Sequence, residues 1–103
     1  MKQDKVFSML GLAQRAGKVA SGEFSTEKAV KTGKAALVIV AVDASDKTKK
    51  NFTDMCTYYK VPVCFYGIKD DLGHAIGKEF RASVAVLDEE FKKAIMKHMD
   101  TMN

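Results

Sequence analysis

The sequence predicts an α/β fold, a three-layer α/β/α sandwich with a central mixed four-stranded sheet. Two observations carry this prediction. Three short apolar runs and one short extended piece, typical of strands, alternate with stretches whose apolar residues recur every three or four positions, as on one face of a helix. The chain has only 103 residues, a length that suits one compact domain. We therefore expect residues 1–103 to form a single domain.

The first half of the chain predicts two helices and two strands. Apolar spacing predicts an amphipathic helix over about residues 4–16, and a short extended piece follows at 18–21. Residues 21–25 are typical of a helix start, and this second helix is expected to end at Gly33. The unbroken apolar run at 36–42 predicts a strand that is covered on both faces.

The second half continues the alternation of helix and strand. Residues 43–46 interrupt the apolar run and are expected to cap a third helix. Residues 61–66 predict a third strand, and a short helix over about 69–76 leads to a last strand over 82–87. Asp88 is expected to cap the closing helix. Strands joined by helical crossovers favour helices on both faces of one sheet.

The positive charge is concentrated in the first half of the chain. Residues 1–50 carry ten basic and five acidic residues, a net charge of +5, whereas residues 51–103 carry seven basic and eight acidic residues. A localised basic field is what a polyanion such as nucleic acid requires. No apolar run approaches the roughly 20 residues of a membrane span, and the charged start at residues 1–5 does not resemble a signal peptide. We therefore expect a cytoplasmic protein with no membrane partner.

No motif in the sequence predicts catalysis or a metal site. Residues 11–18 superficially suggest a phosphate-binding loop, but their glycines are one residue too far apart and the stretch follows a helical pattern. Gly73 and Gly77 fit turns and close backbone packing better than a nucleotide-binding fingerprint. Cys56 and Cys64 have the wrong number and spacing for a zinc site and are expected to be reduced core residues. The chain is therefore expected not to be an enzyme and to hold no cofactor or metal.

Three predicted loops could hold RNA, and the first covers residues 21–28. A helix start there would offer free backbone N–H groups and the positive end of the helix dipole. Lys28 and Lys31 lie on one helix face with Lys34 just beyond, so they could follow a phosphate backbone. We expect these lysines and Lys18 to gather around the amino end of the helix. The alternative is that a serine merely caps the helix and that the lysines only solvate it.

The other two loops follow the strongest strand and precede the last one. The second loop covers residues 42–45, and the third covers residues 77–83. In the third, Arg81 beside Phe80 could stack on or clamp an extruded base, because proteins commonly recognise RNA through unstacked nucleotides. The alternative is that Phe80 is an ordinary core anchor.

Several segments of the chain, in their order and spacing, resemble one known family. They are LGLAQRAGK at 10–18, SGE at 21–23, KAV at 28–30, GKAALVIVAVDAS at 33–45, LGHAIG at 72–77 and ASVAV at 82–86. Together they resemble the kink-turn RNA-binding ribosomal-protein family of the L7Ae and L30e type, and most closely its small bacterial YlxQ-like branch. The resemblance spans roughly residues 6–95.

The resemblance implies an RNA-binding α/β/α protein without catalytic activity. In that family the start of the second helix enters the widened groove of a kinked duplex at tandem sheared G·A pairs, and the loop before the last strand covers an extruded nucleotide. Gly22 and Lys28 match the family's glycine and lysine in the first loop. Where the family's binders usually carry Asn and then Glu to read guanine edges, this chain has Phe24 and Ser25. A phenylalanine cannot hydrogen-bond a base edge, and Glu23 could take over only if the loop shifts.

The expected partner is structured RNA, including ribosomal RNA or the ribosome, bound by a monomer. The alternative is a protein-interaction module on the same fold, with Phe24 and Phe80 in an apolar contact patch. An enzyme would require a pocket that places Cys56 or Cys64 beside His74. The candidate RNA-binding residues are Lys18, Ser21, Gly22, Glu23, Phe24, Ser25, Lys28, Lys31, Lys34, Asp43, Phe80, Arg81, Ala82 and Ser83.

Overall fold

The protein adopts the predicted three-layer α/β/α sandwich, and the predicted order of helices and strands is confirmed. The structure, a computed structural model, describes residues 4–100, so residues 1–3 of the charged start lie outside the described residues. The elements are α1 (Lys5–Arg15), β1 (Val19–Ser21), α2 (Glu23–Lys31), β2 (Leu37–Val40), α3 (Asp46–Tyr59), β3 (Val63–Phe65), α4 (Lys69–Ala75), β4 (Ser83–Val86) and α5 (Glu89–Asp100).

The four strands form one mixed sheet in the order β1-β4-β2-β3. Strand β4 is antiparallel to both β1 and β2, whereas β2 and β3 run parallel. Ser21 is therefore paired with Val84, and Val40 is paired with both Ser83 and Phe65. This end of the sheet, called the upper end below, carries the β1–α2, β2–α3, β3–α4 and α4–β4 loops. The opposite end is called the lower end.

Helices cover both faces of the sheet. Helices α2 and α3 pack on each other, α2 against β1 and β4 and α3 against β2 and β3. Helix α1 contacts α4 and α5, which both pack on β4. The two central strands, β2 and β4, are buried at every position, because apolar helix faces lie on each side of them. The prediction of a doubly covered strand is thus confirmed for Leu37–Val40, whereas Val42 at the end of the predicted run lies beyond the strand and is exposed.

Strand β3 is shorter than the predicted strand at 61–66. It lies at the edge of the sheet and pairs only with β2. Pro62 has no N–H to donate, and its carbonyl oxygen accepts a hydrogen bond from the backbone N–H of Val38, so regular pairing begins one residue later at Val63. The edge position also leaves Phe65 exposed.

Polar side chains cap the amino ends of three helices, α1, α3 and α5. Asp4 caps α1 by accepting a hydrogen bond from the N–H of Phe7, and its second carboxylate oxygen accepts one from the hydroxyl of Tyr66 at 2.6 Å. The predicted caps at Ser45 and Asp88 are confirmed, because each side chain accepts a hydrogen bond from a backbone N–H in the first turn of α3 or α5. Asp4 thus ties the start of α1 to the segment after β3.

Both cysteines are free thiols. Cys56 is fully buried in α3, as predicted, whereas Cys64 is half-buried because β3 is an edge strand. Burial raises the pKa of each thiol to about 11, because a low-dielectric environment disfavours the thiolate. His74 lines two surface grooves, and neither groove includes a cysteine. Neither groove therefore brings Cys56 or Cys64 beside His74, and the thiols remain protonated and weakly nucleophilic at neutral pH.

We expect the protein to lose stability as the pH rises from about 9 to about 11. The thiols of the unfolded chain lose their protons from about pH 9, whereas those of the folded protein stay protonated to about pH 11. The free energy of unfolding therefore falls between these two pH values. Urea unfolding at pH 8 and pH 10 measures the change. A Cys56→Ala, Cys64→Ala double variant should show a smaller loss than the parent protein. Equal losses in the two proteins would contradict this origin.

Candidate nucleic-acid interface

The turn between β1 and α2 is the first part of the candidate site. Gly22 precedes α2 with φ 90° and ψ 162°, a conformation that glycine adopts without strain. Its N–H donates a hydrogen bond to the carbonyl oxygen of Ser83 at 3.0 Å, which fastens the turn to β4. No side chain caps α2, so the N–H groups of Glu23, Phe24 and Ser25 are without an intrahelical acceptor. The alternative that a serine caps this helix is wrong.

Arg81 joins this turn to the loop before β4. Its Nε donates a hydrogen bond to the hydroxyl of Ser21 at 3.1 Å, and its Nη1 donates one to the carbonyl oxygen of Phe80 at 2.7 Å. The backbone N–H of Arg81 also donates to the carbonyl oxygen of Lys69 at the start of α4. The structure thus brings the first and third predicted loops together through one guanidinium group. Three of its five N–H donors remain for other acceptors.

The α4–β4 loop packs closely on α4 because Gly73 has no side chain. A Cβ at residue 73 would overlap the carbonyl oxygen of Glu79 in that loop. Gly77 adopts φ 73° in the turn that reverses the chain after α4. The prediction that these glycines serve a turn and close backbone packing is confirmed. The close approach fixes the path of the segment that leads to Phe80.

Both candidate aromatic rings are exposed. Phe24 is 78% exposed at the start of α2, and Phe80 is 64% exposed in the α4–β4 loop. The alternative that Phe80 is a core anchor is therefore wrong. The two rings line different surface grooves. An exposed phenylalanine ring has no stabilising role in the core, so each is free to contact a ligand.

Three of the predicted RNA-binding residues, Asp43, Ala82 and Ser83, have structural surroundings of their own. Asp43 accepts a hydrogen bond from the backbone N–H of Lys69 at 2.9 Å and so connects the β2–α3 loop to α4. Ala82 is half-buried, and its carbonyl oxygen accepts from the N–H of Ala41. The side chain of Ser83 is 0% exposed in β4, where apolar layers cover both faces. It lies out of reach of an external ligand, which corrects the expectation of a side-chain contact at Ser83.

The expected gathering of four lysines around the start of α2 is wrong for Lys18 and Lys34. Both lie at the lower end, since the carbonyl oxygen of Lys18 accepts from Leu87 and Lys34 precedes the segment that enters β2. The reason is that β1 carries the chain from Lys18 at the lower end to the turn at Gly22, and the nine residues of α2 then carry it about 13 Å away again before Lys34. The sequence spacing alone does not show this separation.

The remaining two lysines differ in their partners. Lys28 is exposed one turn into α2, and none of the four ion pairs found within residues 4–100 uses it. Lys31 forms an ion pair with Glu27 at 3.0 Å, and the hydrogen bond to that carboxylate raises the pKa of Lys31. A phosphate would have to compete with Glu27 for Lys31 but not for Lys28.

Charge differs sharply between the two sides of the upper end. On the α4 side, a groove of about 490 Å³ is lined by Asp70, Asp71 and Glu79 together with Lys78 and Phe80. Phosphates are repelled by such a carboxylate-rich surface. The favourable approach for a polyanion is therefore over α2 and the exposed side of Arg81.

A second group of cations lies at the upper end and was not predicted from the sequence. Lys47 and Lys49 lie in the first turn of α3, directly after the β2–α3 loop at the upper end, and no ion pair in the described part of the chain uses either. Lys50 is paired with Asp54 at 3.0 Å. The signal in the sequence was the run KTKK at 47–50, which becomes informative once α3 is known to begin at the same end of the sheet as α2.

The fold and the loops at its upper end define a class of small α/β/α proteins with a mixed four-stranded sheet. More particularly, the chain belongs to the ribosomal protein L7Ae/L30e/S12e/Gadd45 family, whose family model matches residues 4–97. This confirms the resemblance found in the sequence. No helix among residues 4–100 has the length and apolar character that crossing a membrane requires.

Relatives of known name and structure place the chain in a bacterial branch of that family. It is 45% identical over 94 residues to the RNA-binding protein YlxQ of Bacillus subtilis (strain 168), covering 91% of this chain and 94% of that protein. It is 39% identical over 92 residues to the RNA-binding protein YlxQ of Enterococcus faecium, covering 88% of this chain and 87% of that protein.

Two solved structures share the fold. A Bacillus halodurans protein of unknown function superposes with a TM-score of 0.91 at 40% identity, covering 95% of this chain and 99% of the other. The Giardia lamblia 15.5kD RNA binding protein superposes with a TM-score of 0.78 at 20% identity, covering 98% and 90%. The second similarity establishes the fold alone.

Proposed function

We propose that this protein binds structured RNA without catalysing a reaction, and that it holds a kinked duplex and its extruded nucleotide at the upper end. One observation carries the proposal: Arg81 hydrogen-bonds to the hydroxyl of Ser21 and to the carbonyl oxygen of Phe80, and so fastens the loop that carries an exposed aromatic ring to the turn before the uncapped start of α2. The Bacillus subtilis and Enterococcus faecium relatives are both named RNA-binding proteins, which supports the same function here.

Each part of the site has a distinct role in this proposal. The free N–H groups at residues 23–25 donate to base edges or phosphate oxygens in the widened groove. Lys28 contacts a phosphate, because it is exposed and unpaired. Phe80 and Arg81 form a lid over the extruded nucleotide, through ring stacking and the donors that Arg81 retains. Phe24 supplies no hydrogen bond to a guanine edge, so recognition of a kink relies on backbone donors and shape.

The proposal includes the cellular setting expected from the sequence. The partner is a structured RNA, including ribosomal RNA or the ribosome, and the protein acts as a cytoplasmic monomer that needs no cofactor. Protonated thiols and the separation of both cysteines from the grooves around His74 support a binding role over a catalytic one.

The exposure of both phenylalanine rings also favours a second candidate function, a protein-interaction module that has kept the fold. Contacts made by Phe24 and Phe80 would then bury apolar surface, and the resulting association would respond little to salt. RNA binding through lysines weakens steeply as salt rises, because phosphates release condensed counterions. A salt series therefore distinguishes the two functions.

The proposed function is tested by comparing two RNA hairpins of equal length in filter binding at several salt concentrations. One hairpin is kinked at tandem G·A pairs, and the other is fully paired. We expect tighter binding to the kinked hairpin and a negative salt slope for both. Equal affinity for the two hairpins would overturn recognition of the kink, and no binding at low salt would overturn RNA binding itself.

A Lys28→Ala variant is expected to weaken binding to both hairpins about equally and to reduce the salt slope by roughly one unit. The reason is that an exposed, unpaired lysine contributes a phosphate contact without reading sequence. A matched Lys5→Ala variant removes an exposed lysine from α1, on the other face of the sheet, and should leave both quantities unchanged. Identical salt slopes for the parent protein and Lys28→Ala would remove Lys28 from the contact surface.

A further inference from the structure

A groove of about 240 Å³ lies between α2 and the sheet edge formed by β1. Its apolar lining comes from Ala20 of β1, Ala29 of α2 and Leu87 after β4, and the exposed ring of Phe24 stands at its upper end. Two of these residues have only a methyl side chain, so the groove offers space beside a flat aromatic surface. The groove is separate from the one that contains Phe80.

The charged residues of this groove are all positive. Lys28 and Lys34 line it, no acidic residue does, and neither lysine takes part in the ion pairs found within residues 4–100. Lys18 lies close to its lower end, because the carbonyl oxygen of Lys18 accepts a hydrogen bond from the N–H of Leu87. The lysines that do not gather at the start of α2 therefore flank this groove instead.

The size and chemistry of the groove indicate one kind of occupant. Sites that enclose a whole drug-sized ligand usually measure about 300–1,000 Å³, so this groove suits one planar ring that belongs to a larger molecule. Aromatic side chains stack on unpaired nucleobases, and lysines beside them contact the flanking phosphates. Ser25 and Thr32 also line the groove. The Ser25 hydroxyl can donate to a base edge, whereas the Thr32 hydroxyl already donates to the carbonyl oxygen of Lys28 at 2.7 Å and can only accept.

We propose that this groove binds an unpaired nucleobase from a single-stranded part of the RNA, stacked on Phe24, with its flanking phosphates on Lys28 and Lys34. The proposal rests on RNA as the partner and adds a second contact to the one at Arg81. The kinked duplex occupies the upper end, while a single-stranded extension follows α2 toward Lys18. Phe24, at the start of α2, thus contacts a base by stacking, where a polar side chain would recognise the base edge by hydrogen bonds.

A small nucleotide tests the groove directly. In amide and aromatic NMR spectra, adenosine 5′-monophosphate should shift the signals of Phe24, Ala20 and Leu87 with a Kd on the order of millimolar. Adenosine lacks the phosphate and ribose 5-phosphate lacks the base, so each should bind more weakly. Shifts at the start of α4 instead, or no shifts in the groove, would overturn the proposal.

Variants of Phe24 show whether binding depends on stacking against an aromatic ring or only on an apolar side chain at this position. Phe24→Leu should weaken binding of the nucleotide, and of a kinked hairpin that carries a single-stranded adenosine extension, by about 5- to 150-fold. Phe24→Tyr should keep most of the affinity because it retains an aromatic face. Tyr58→Leu is the matched control, since Tyr58 is also 78% exposed but lies on α3. Equal binding by Phe24→Leu and the parent protein would overturn the proposal.

The experiments on the groove and the comparison of the two hairpins can fail independently of each other. A protein that binds the kinked hairpin but shows no dependence on Phe24 or on the extension has the proposed function and lacks this groove contact. A protein whose groove binds the nucleotide but that ignores the kink has the groove contact and lacks the proposed function. Salt-insensitive self-association that Phe24→Leu abolishes would instead show that another copy of the protein occupies the groove.

Discussion

A Gly73→Ala variant is expected to lose at least tenfold in affinity for a kinked RNA while its core remains folded. In an ordinary helix, alanine is more stable than glycine by roughly 0.5–1 kcal/mol. In α4 the new Cβ would overlap the carbonyl oxygen of Glu79, so the loop must move, and such overpacking costs about 1–3 kcal/mol. The clash therefore outweighs the gain in helix propensity. Because Phe80 and Arg81 follow Glu79 directly, the movement takes the proposed lid away from α2.

The same substitution at another helical glycine provides the control. A Cβ at Gly11 of α1 would lie 3.1 Å from the carbonyl oxygen of Ala75, a tight contact that a small shift relieves. Gly11→Ala should leave RNA affinity unchanged and stability within about 1 kcal/mol of the parent protein. Urea unfolding reports the stability of both variants, and filter binding reports their affinity. Parental affinity and stability in Gly73→Ala would show that the loop position matters little.

Much of the fold could be predicted from local sequence patterns. The run at 36–42 is apolar at every position, and a strand with this pattern must be covered on both faces. Ser45 and Asp88 precede helical patterns and have the side chains that accept first-turn hydrogen bonds. The strand at 61–66 was predicted too long, because its extent depends on pairing with β2 and on the missing N–H of Pro62.

The candidate site could be predicted only in part, because side-chain surroundings are set by contacts between distant segments. The bond between Arg81 and Ser21 joins residues that are 60 positions apart, and no local pattern predicts it. Ser83 was expected at the surface of a loop, yet the register of β4 places it in the buried sheet. Lys18 and Lys34 are near Lys28 in sequence, but both lie at the lower end, because Lys18 precedes β1 and α2 returns the chain to that end before Lys34.

An Arg81→Ala variant is expected to weaken binding to a kinked hairpin by roughly 10- to 150-fold and binding to a fully paired hairpin much less. The substitution removes two hydrogen bonds of the guanidinium group. One fastens the lid to the hydroxyl of Ser21, and the other, to the carbonyl oxygen of Phe80, holds the lid's own backbone. Hydrogen bonds of charged groups contribute about 1.5–3 kcal/mol each, and that range of affinity corresponds to the loss of the one bond, to Ser21, that fastens the loop to the β1–α2 turn. A fully paired duplex has no extruded nucleotide for the lid to cover, so it loses only the attraction of one positive charge.

Lys78→Ala separates these two effects, since Lys78 is an exposed cation in the same loop and forms none of the ion pairs found within residues 4–100. It should weaken both hairpins slightly and equally. Arg81→Lys should behave more like Arg81→Ala than like the parent protein, because an ammonium group cannot donate in the two fixed directions that reach Ser21 and Phe80. If Arg81→Ala and Lys78→Ala gave the same losses on both hairpins, Arg81 would act as one more phosphate contact and the lid would have to be assigned to Phe80 alone.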